Sequence, residues 1–135
     1  MPFADISENH LVNVADIDNQ HKDIFILINE LYDLSEKNKS ADHLLIVIQE
    51  ILSKSIHHFT TEESLMQKYN FLNYYSHKIE HDRFIRKIKE FIENDEAEDK
   101  LLKPDFLLFL RNWLTGHIET KDKNLGIFLS ENGVK

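Results

Sequence analysis

The chain has 135 residues, 41% of them hydrophobic and 30% charged, with 3 glycines and 2 prolines, which suits one all-helical domain with few tight turns. Its formal net charge of -8 excludes nucleic acid and anionic membrane surfaces as natural partners, since both would repel it. The absence of cysteine excludes disulfides, thiolate zinc sites and iron–sulfur clusters, so any metal must be held by nitrogen and oxygen.

Residues 1–17 read as an irregular leader. Its start, MPFADISENHLVN, lacks the basic segment and apolar run of a secretory signal, and no later stretch approaches the roughly eighteen apolar residues of a membrane span, so a cytoplasmic monomer is expected. The apolar positions Phe3, Ile6, Leu11, Val12, Val14 and Ile17 predict a leader packed across the helices that follow. Asp18 is a candidate cap for a first helix over 18–38, in which Phe25, Ile28, Leu31 and Tyr32 recur at spacings of three and four. His21 lies one turn before Phe25 on the same face.

Ser40 can cap a second helix over 41–68, with Leu44, Leu45, Ile48, Ile51, Leu52 and Phe59 as its stripe, continued by His58 and Glu62. Tyr69-Asn70 breaks the pattern. A third helix over 72–93 carries Tyr74, Phe84, Ile85, Ile88, Phe91 and Ile92 on a face that includes His77 and His81. Those two imidazoles stand at i,i+4, one turn apart, so both can reach one ion. The run ENDEAEDK reads as a solvated acidic loop. Pro104 suits the first turn of a fourth helix over 104–130, where its missing N–H costs nothing, followed by Phe106, Leu110, Trp113, Leu114, His117 and Ile118. Four helices with short connectors favour an antiparallel up-down-up-down four-helix bundle in a single domain over 1–135.

Seven polar residues therefore sit on or near inward stripes: His21, His58, Glu62, His77, His81, His117 and Asp122. Taken singly, each has an ordinary reading: a buried histidine is usually a hydrogen-bonded core residue, and His58–Glu62 resembles a surface i,i+4 pair. Taken together they converge, because in an antiparallel bundle all four positions fall at one end. Seven buried polar groups cannot all be absorbed by hydrogen bonds, whereas a multinuclear cation partners them at once. His117 and Asp122 fit least well, since five residues turn about 140° around a helix. Asp122 must reach back or ride a locally distorted turn. Of the other histidines, His57 is rotated about 100° from His58 and points elsewhere, and His10 and His43 are expected at the surface. Glu63 reads as a solvated carboxylate or one that supports a ligand. Phe25, Phe59, Trp113, Leu114 and Ile118 lie within a turn of these groups and would wall them off from water.

These segments resemble the hemerythrin family in its single-domain bacterial form. The resemblance rests on Asp18-Asn19-Gln20-His21-Lys22 in the first helix, on His58-Phe59-Thr60-Thr61-Glu62-Glu63 with Met66, on His77-Lys78-Ile79-Glu80-His81 with Phe84, and on Trp113-Leu114-Thr115-Gly116-His117-Ile118 followed by Asp122. It implies two iron ions in a non-haem di-iron centre, bridged by carboxylates and an oxo or hydroxo oxygen, that binds dioxygen reversibly. By the same resemblance, His77, His81 and His117 hold one iron, His21 and His58 hold the other, and Glu62 and Asp122 bridge them. Two positions depart from the family pattern: Ile6 stands where a leader tryptophan is common, and Leu72 where a proline often follows Tyr69.

The implied role is a binding protein, not an enzyme: dioxygen storage, buffering, or delivery to an oxygen-requiring protein. The alternatives are a di-iron redox enzyme with oxidase, peroxidase or nitric-oxide chemistry, or an oxygen- or iron-sensing module. Di-iron oxidases of the ferritin type place Glu-x-x-His pairs on two helices, and no Glu-x-x-His occurs in this chain. Sensing versions need an output domain, for which 135 residues leave no room. A two-zinc hydrolase is poorly served by an apolar pocket without a substrate-binding polar group.

Overall fold

The computed structural model describes residues 2–37, 40–93 and 104–135. Helix α1 spans Ala15–Glu36, α2 Ala41–Lys68, α3 Tyr74–Glu93 and α4 Pro104–His117. A π-helical turn over Ile118–Asp122 joins α4 to α5, Lys123–Glu131, so the last three elements form one rod and the molecule is a four-helix bundle. A 3₁₀ turn, Glu8–His10, lies in the leader. Apart from Glu93, the stretch expected as an acidic loop lies outside the described residues.

The helix ends follow local chemistry, with one correction. Helix α1 begins at Ala15 with Val14 as its N-cap and no capping side chain, so Asp18 is not the cap. Its carboxylate reaches back instead, accepting the Val12 N–H at 2.8 Å and the Asn13 N–H at 3.1 Å. Those bonds pin a turn in which Asn13 adopts φ 66. Ser40 does cap α2, accepting from the His43 N–H at 3.5 Å. At the other end of α2, Asn70 sits at φ 57 while the Phe71 N–H bonds to the Met66 carbonyl and the Asn70 N–H to that of Gln67. This Schellman closure satisfies carbonyls that the helix leaves open, and asparagine tolerates the left-handed region better than most residues.

The leader runs along the bundle as its apolar residues predict. Asn29 clamps Ala4 at two points, accepting its N–H at 2.7 Å and donating to its carbonyl at 2.8 Å. Phe3 stacks on Tyr32 at 4.4 Å and lies under Arg111 at 4.7 Å, which ties the leader to both α1 and α4. Ile6 packs against the main core, whereas Leu72 is 95% exposed.

Two apolar layers enclose a polar one. The larger comprises Ile24, Phe25, Phe59, Phe84, Leu114 and Ile118 with the residues beyond them. The smaller comprises Val12, Val14, Ile17, Met66, Leu125 and Leu129. Along every rod the buried polar residues come between them: Ile17, His21, Phe25 on α1; Phe59, Glu62, Met66 on α2; Tyr74, His77, Phe84 on α3; Ile118, Asp122, Leu125 on the last rod.

Candidate metal centre

All seven side chains predicted for the site meet in that layer, each no more than 3% exposed. They fall into two groups that share both carboxylates: Glu62, His77, His81, His117 and Asp122 form one, and His21, His58, Glu62 and Asp122 the other, with donor atoms inside 4.8 Å of one another. The π turn resolves the awkward spacing of His117 and Asp122. Its i→i+5 repeat stacks residue 122 over residue 117, bringing Asp122 Oδ1 to 3.1 Å from His117 Nε2.

The donor atoms of the first group lie close to one another. His117 Nε2 lies 3.1 Å from both His81 Nε2 and His77 Nε2. Asp122 Oδ1 approaches His77 at 3.0 Å and His117 at 3.1 Å; Glu62 Oε1 approaches His81 at 3.0 Å and His77 at 3.5 Å. Donors about one ion with bonds of about 2.0–2.1 Å stand about 2.8–3.4 Å apart, so these spacings suit a shared cation. Each carboxylate thus sets one oxygen against two of the three imidazoles.

The second group uses the other oxygen of each carboxylate. Asp122 Oδ2 lies 3.0 Å from His21 Nε2, and Glu62 Oε2 lies 3.5 Å from His58 Nε2. Both carboxylates therefore face one group with one oxygen and the second group with its partner, the orientation a bridging ligand needs. Several of these close approaches lack hydrogen-bond angles, so His21 Nε2, His58 Nε2, both Glu62 oxygens and Asp122 Oδ2 are buried without a hydrogen-bonding partner. Each orphan would cost on the order of 1–3 kcal/mol if nothing else engaged it. A pair of cations engages every one, so the donor set fits two first-row metal ions.

Three further residues, not foreseen as ligand supports or only partly so, fix the imidazole tautomers. His58 Nδ1 donates to Gln20 Oε1 at 2.7 Å, His81 Nδ1 to Glu63 Oε2 at 2.9 Å, and His117 Nδ1 to Glu80 Oε1 at 2.9 Å. Each partner oxygen only accepts, so each Nδ1 carries hydrogen and each Nε2 is left to face the centre. The Gln20 amide is itself oriented by Thr61, whose hydroxyl donates to the His57 carbonyl and accepts from Gln20 Nε2 at 3.2 Å. The three supports obey one rule: α1 backs a ligand on α2, α2 backs one on α3, and α3 backs one on α4. All three neighbour a ligand in sequence, and the 100° step between adjacent residues aims them at the next helix. His21 breaks the rule, for its Nδ1 has no partner.

His10 corrects another expectation. It is 7% exposed, receives the Ser7 N–H at Nδ1 at 3.0 Å, and bonds through Nε2 to Glu119 at 2.9 Å. A leader histidine thereby fastens the π turn between two ligands. His43 and His57 are exposed as expected.

Aromatic rings complete the wall. Phe59 stacks on His81 at 3.9 Å and Trp113 on His117 at 4.6 Å. Inside, burial drives His58 down to about 4, with Glu62 opposing and His21 assisting. Burial also disfavours a charged His77, yet Asp122 and Glu62 overcome it and raise that imidazole to about 9; His117 is raised in the same way. Burial and mutual repulsion would raise the carboxyls, but the histidines around them hold Glu62 at about 2 and Asp122 well below its usual range.

A family model described as the hemerythrin HHE cation binding domain matches residues 12–126. A bacteriohemerythrin of Methylococcus capsulatus is 33% identical over 124 residues, covering 87% of this chain and 89% of its own. One from Aquifex aeolicus is 33% identical over 118 residues, covering 82% and 88%. The crystal structure of a wild-type hemerythrin superposes with a TM-score of 0.84 at 28% identity, covering 92% of this chain and 95% of its own.

Proposed function

The chain belongs to the hemerythrin family, and on that premise we propose that it binds dioxygen reversibly at a non-haem di-iron centre, for storage, buffering or delivery to an oxygen-requiring protein. The observation that carries this reading is the double set of donors around two shared carboxylates. His77, His81 and His117 would hold one iron, His21 and His58 the other, and Glu62 and Asp122 would bridge them. Two ferrous ions supply the two electrons that dioxygen takes up on binding and gives back on release.

The chain's own residues make that exchange reversible in three ways. Glu63 and Glu80 back two imidazoles of the three-histidine group, which strengthens them as donors and holds that ion in place. The two-histidine group offers four donors, fewer than the five of its neighbour, so a diatomic ligand would be admitted on the His21 and His58 side. The apolar layers of Phe25, Phe59, Leu114, Ile118 and Val12, Ile17, Leu125 keep bulk water and its protons from that side. Glu63 and Glu80 are both committed to imidazoles, which favours binding over turnover.

The test is anaerobic reconstitution with ferrous iron, followed by optical spectra in argon, in air and again under vacuum. A coloured band that appears with dioxygen and fades on evacuation is expected. Iron uptake with no spectral response, or steady consumption of dioxygen by added reductant, would replace the binding reading with an enzymatic one.

A further inference from the structure

Helix α3 carries an unusual run from Arg83 to Lys89, R-F-I-R-K-I-K, with four cations and no acid in a chain of net charge -8. Arg83, Arg86 and Lys87 stand at i, i+3 and i+4, so they share one face, and all three are exposed. Lys78 and Lys121 relieve their charge on Glu63, Asp82 and Glu80, whereas these three form no ion pair with any described residue. The stripe thus presents three cations to solvent.

The same face leads to the centre. Arg83, Arg86 and Lys87 line an open trough of about 620 Å³ with Phe84, Glu90, Phe109 and Trp113. Phe84 stacks on Trp113 at 4.2 Å with 25° between planes, and Trp113 stacks on His117 at 4.6 Å with 11°. Phe59, which covers His81, is buried. Half-buried Trp113 touches a proposed iron ligand on one side and the trough on the other.

We infer that this trough is the docking face for a small acidic one-electron donor protein that returns an oxidised centre to the ferrous state through Trp113 and His117. The inference rests on the di-iron reading. Two encounters are needed: each oxidises one donor molecule by one electron and reduces one ferric ion to ferrous. Exposed cations speed such encounters by steering, and transient electron-transfer contacts are small enough for a trough of this kind. At physiological ionic strength the Debye length is about 8 Å, so the chain's remote acids are screened while the stripe acts at contact.

The experiment follows reduction of the air-oxidised, iron-loaded protein by stopped flow, with reduced plant-type ferredoxin as the acidic probe and reduced methyl viologen as a cationic control. The rate with ferredoxin should fall about tenfold as ionic strength rises from about 0.01 M to about 0.15 M. It should also fall about tenfold at low salt in the triple variant Arg83→Glu, Arg86→Glu, Lys87→Glu, with iron content unchanged and no loss of rate with methyl viologen. Equal ferredoxin rates in parent and variant, or no salt dependence, would overturn the inference. Titration of the labelled protein with oxidised ferredoxin, followed by amide NMR shifts, tests docking without iron. Shifts centred on Arg83, Arg86 and Lys87 support the docking face independently of the di-iron reading, and their absence overturns the inference.

Discussion

At the scale of single residues, the centre is a set of donors made available by their neighbours. His77 illustrates both roles of the layer, touching Glu62, Asp122 and His117 at once. Its replacement, His77→Ala, should lower iron per chain, measured by metal analysis after reconstitution; unchanged iron would remove it from the ligand set. Removing charge behind a ligand is gentler: Glu80→Gln should weaken metal binding about 10–100-fold while keeping the fold, since the amide still accepts from His117. His77 also gives a pH dependence with a definite sign. Its proton, held to about 9, must leave for Nε2 to bind metal, so apparent affinity should climb as pH rises toward about 9 and then level off. In the metal-free protein the same group stabilises the fold fully below 6.5, a contribution lost as pH rises through about 9. Affinity titrations at stepped pH check the first statement and metal-free melting curves the second. The seven residues that meet in the polar layer were legible in the sequence because most of them share helical stripes. Gln20 and Glu80 were not, because each serves a histidine on another helix, 38 and 37 residues away, and spacing along one helix carries no trace of such a pair.

At the scale of elements, the last rod decides the geometry. The five-residue gap between His117 and Asp122 announced a distortion, and the π turn over Ile118–Asp122 is that distortion. What the sequence did not reveal is how the turn is held, since His10 read as a surface residue and its tie to Glu119 spans 109 positions. Asp18 misled for a similar reason. It has a capping side chain in a capping context, yet α1 begins three residues earlier, at Ala15, and the carboxylate accepts from the leader turn instead. The leader and the last rod meet at Gly126, where an added Cβ would lie 2.5 Å from the Val12 carbonyl oxygen and 2.8 Å from its Cβ. Gly126→Ala should therefore destabilise by about 1–3 kcal/mol, seen in denaturant unfolding. Gly116, one residue before a ligand, has no atom within 4 Å of such a Cβ. Gly116→Ala should stabilise α4 by up to about 1 kcal/mol, so the pair of variants separates close packing from helix propensity.

At the scale of the whole molecule, a polar layer interrupts a core that is otherwise apolar, and the fold is completed by what fills it. The bundle was legible from four amphipathic stripes and the common height of their histidines, both consequences of repeat length. Each ion binding the folded state alone would stabilise it by about 2.7 kcal/mol at one hundred times its dissociation constant, so two would contribute about 5.4 kcal/mol. The melting midpoint should rise by roughly 20 °C on metal loading and return when a chelator strips the ions. The most direct measurement is a crystal grown with ferrous iron and diffracted at the iron absorption edge. Two anomalous peaks are expected, one among His77, His81 and His117 and the other beside His21 and His58, with Glu62 and Asp122 between them. A single peak, or none with the seven side chains in place, would contradict the di-iron centre.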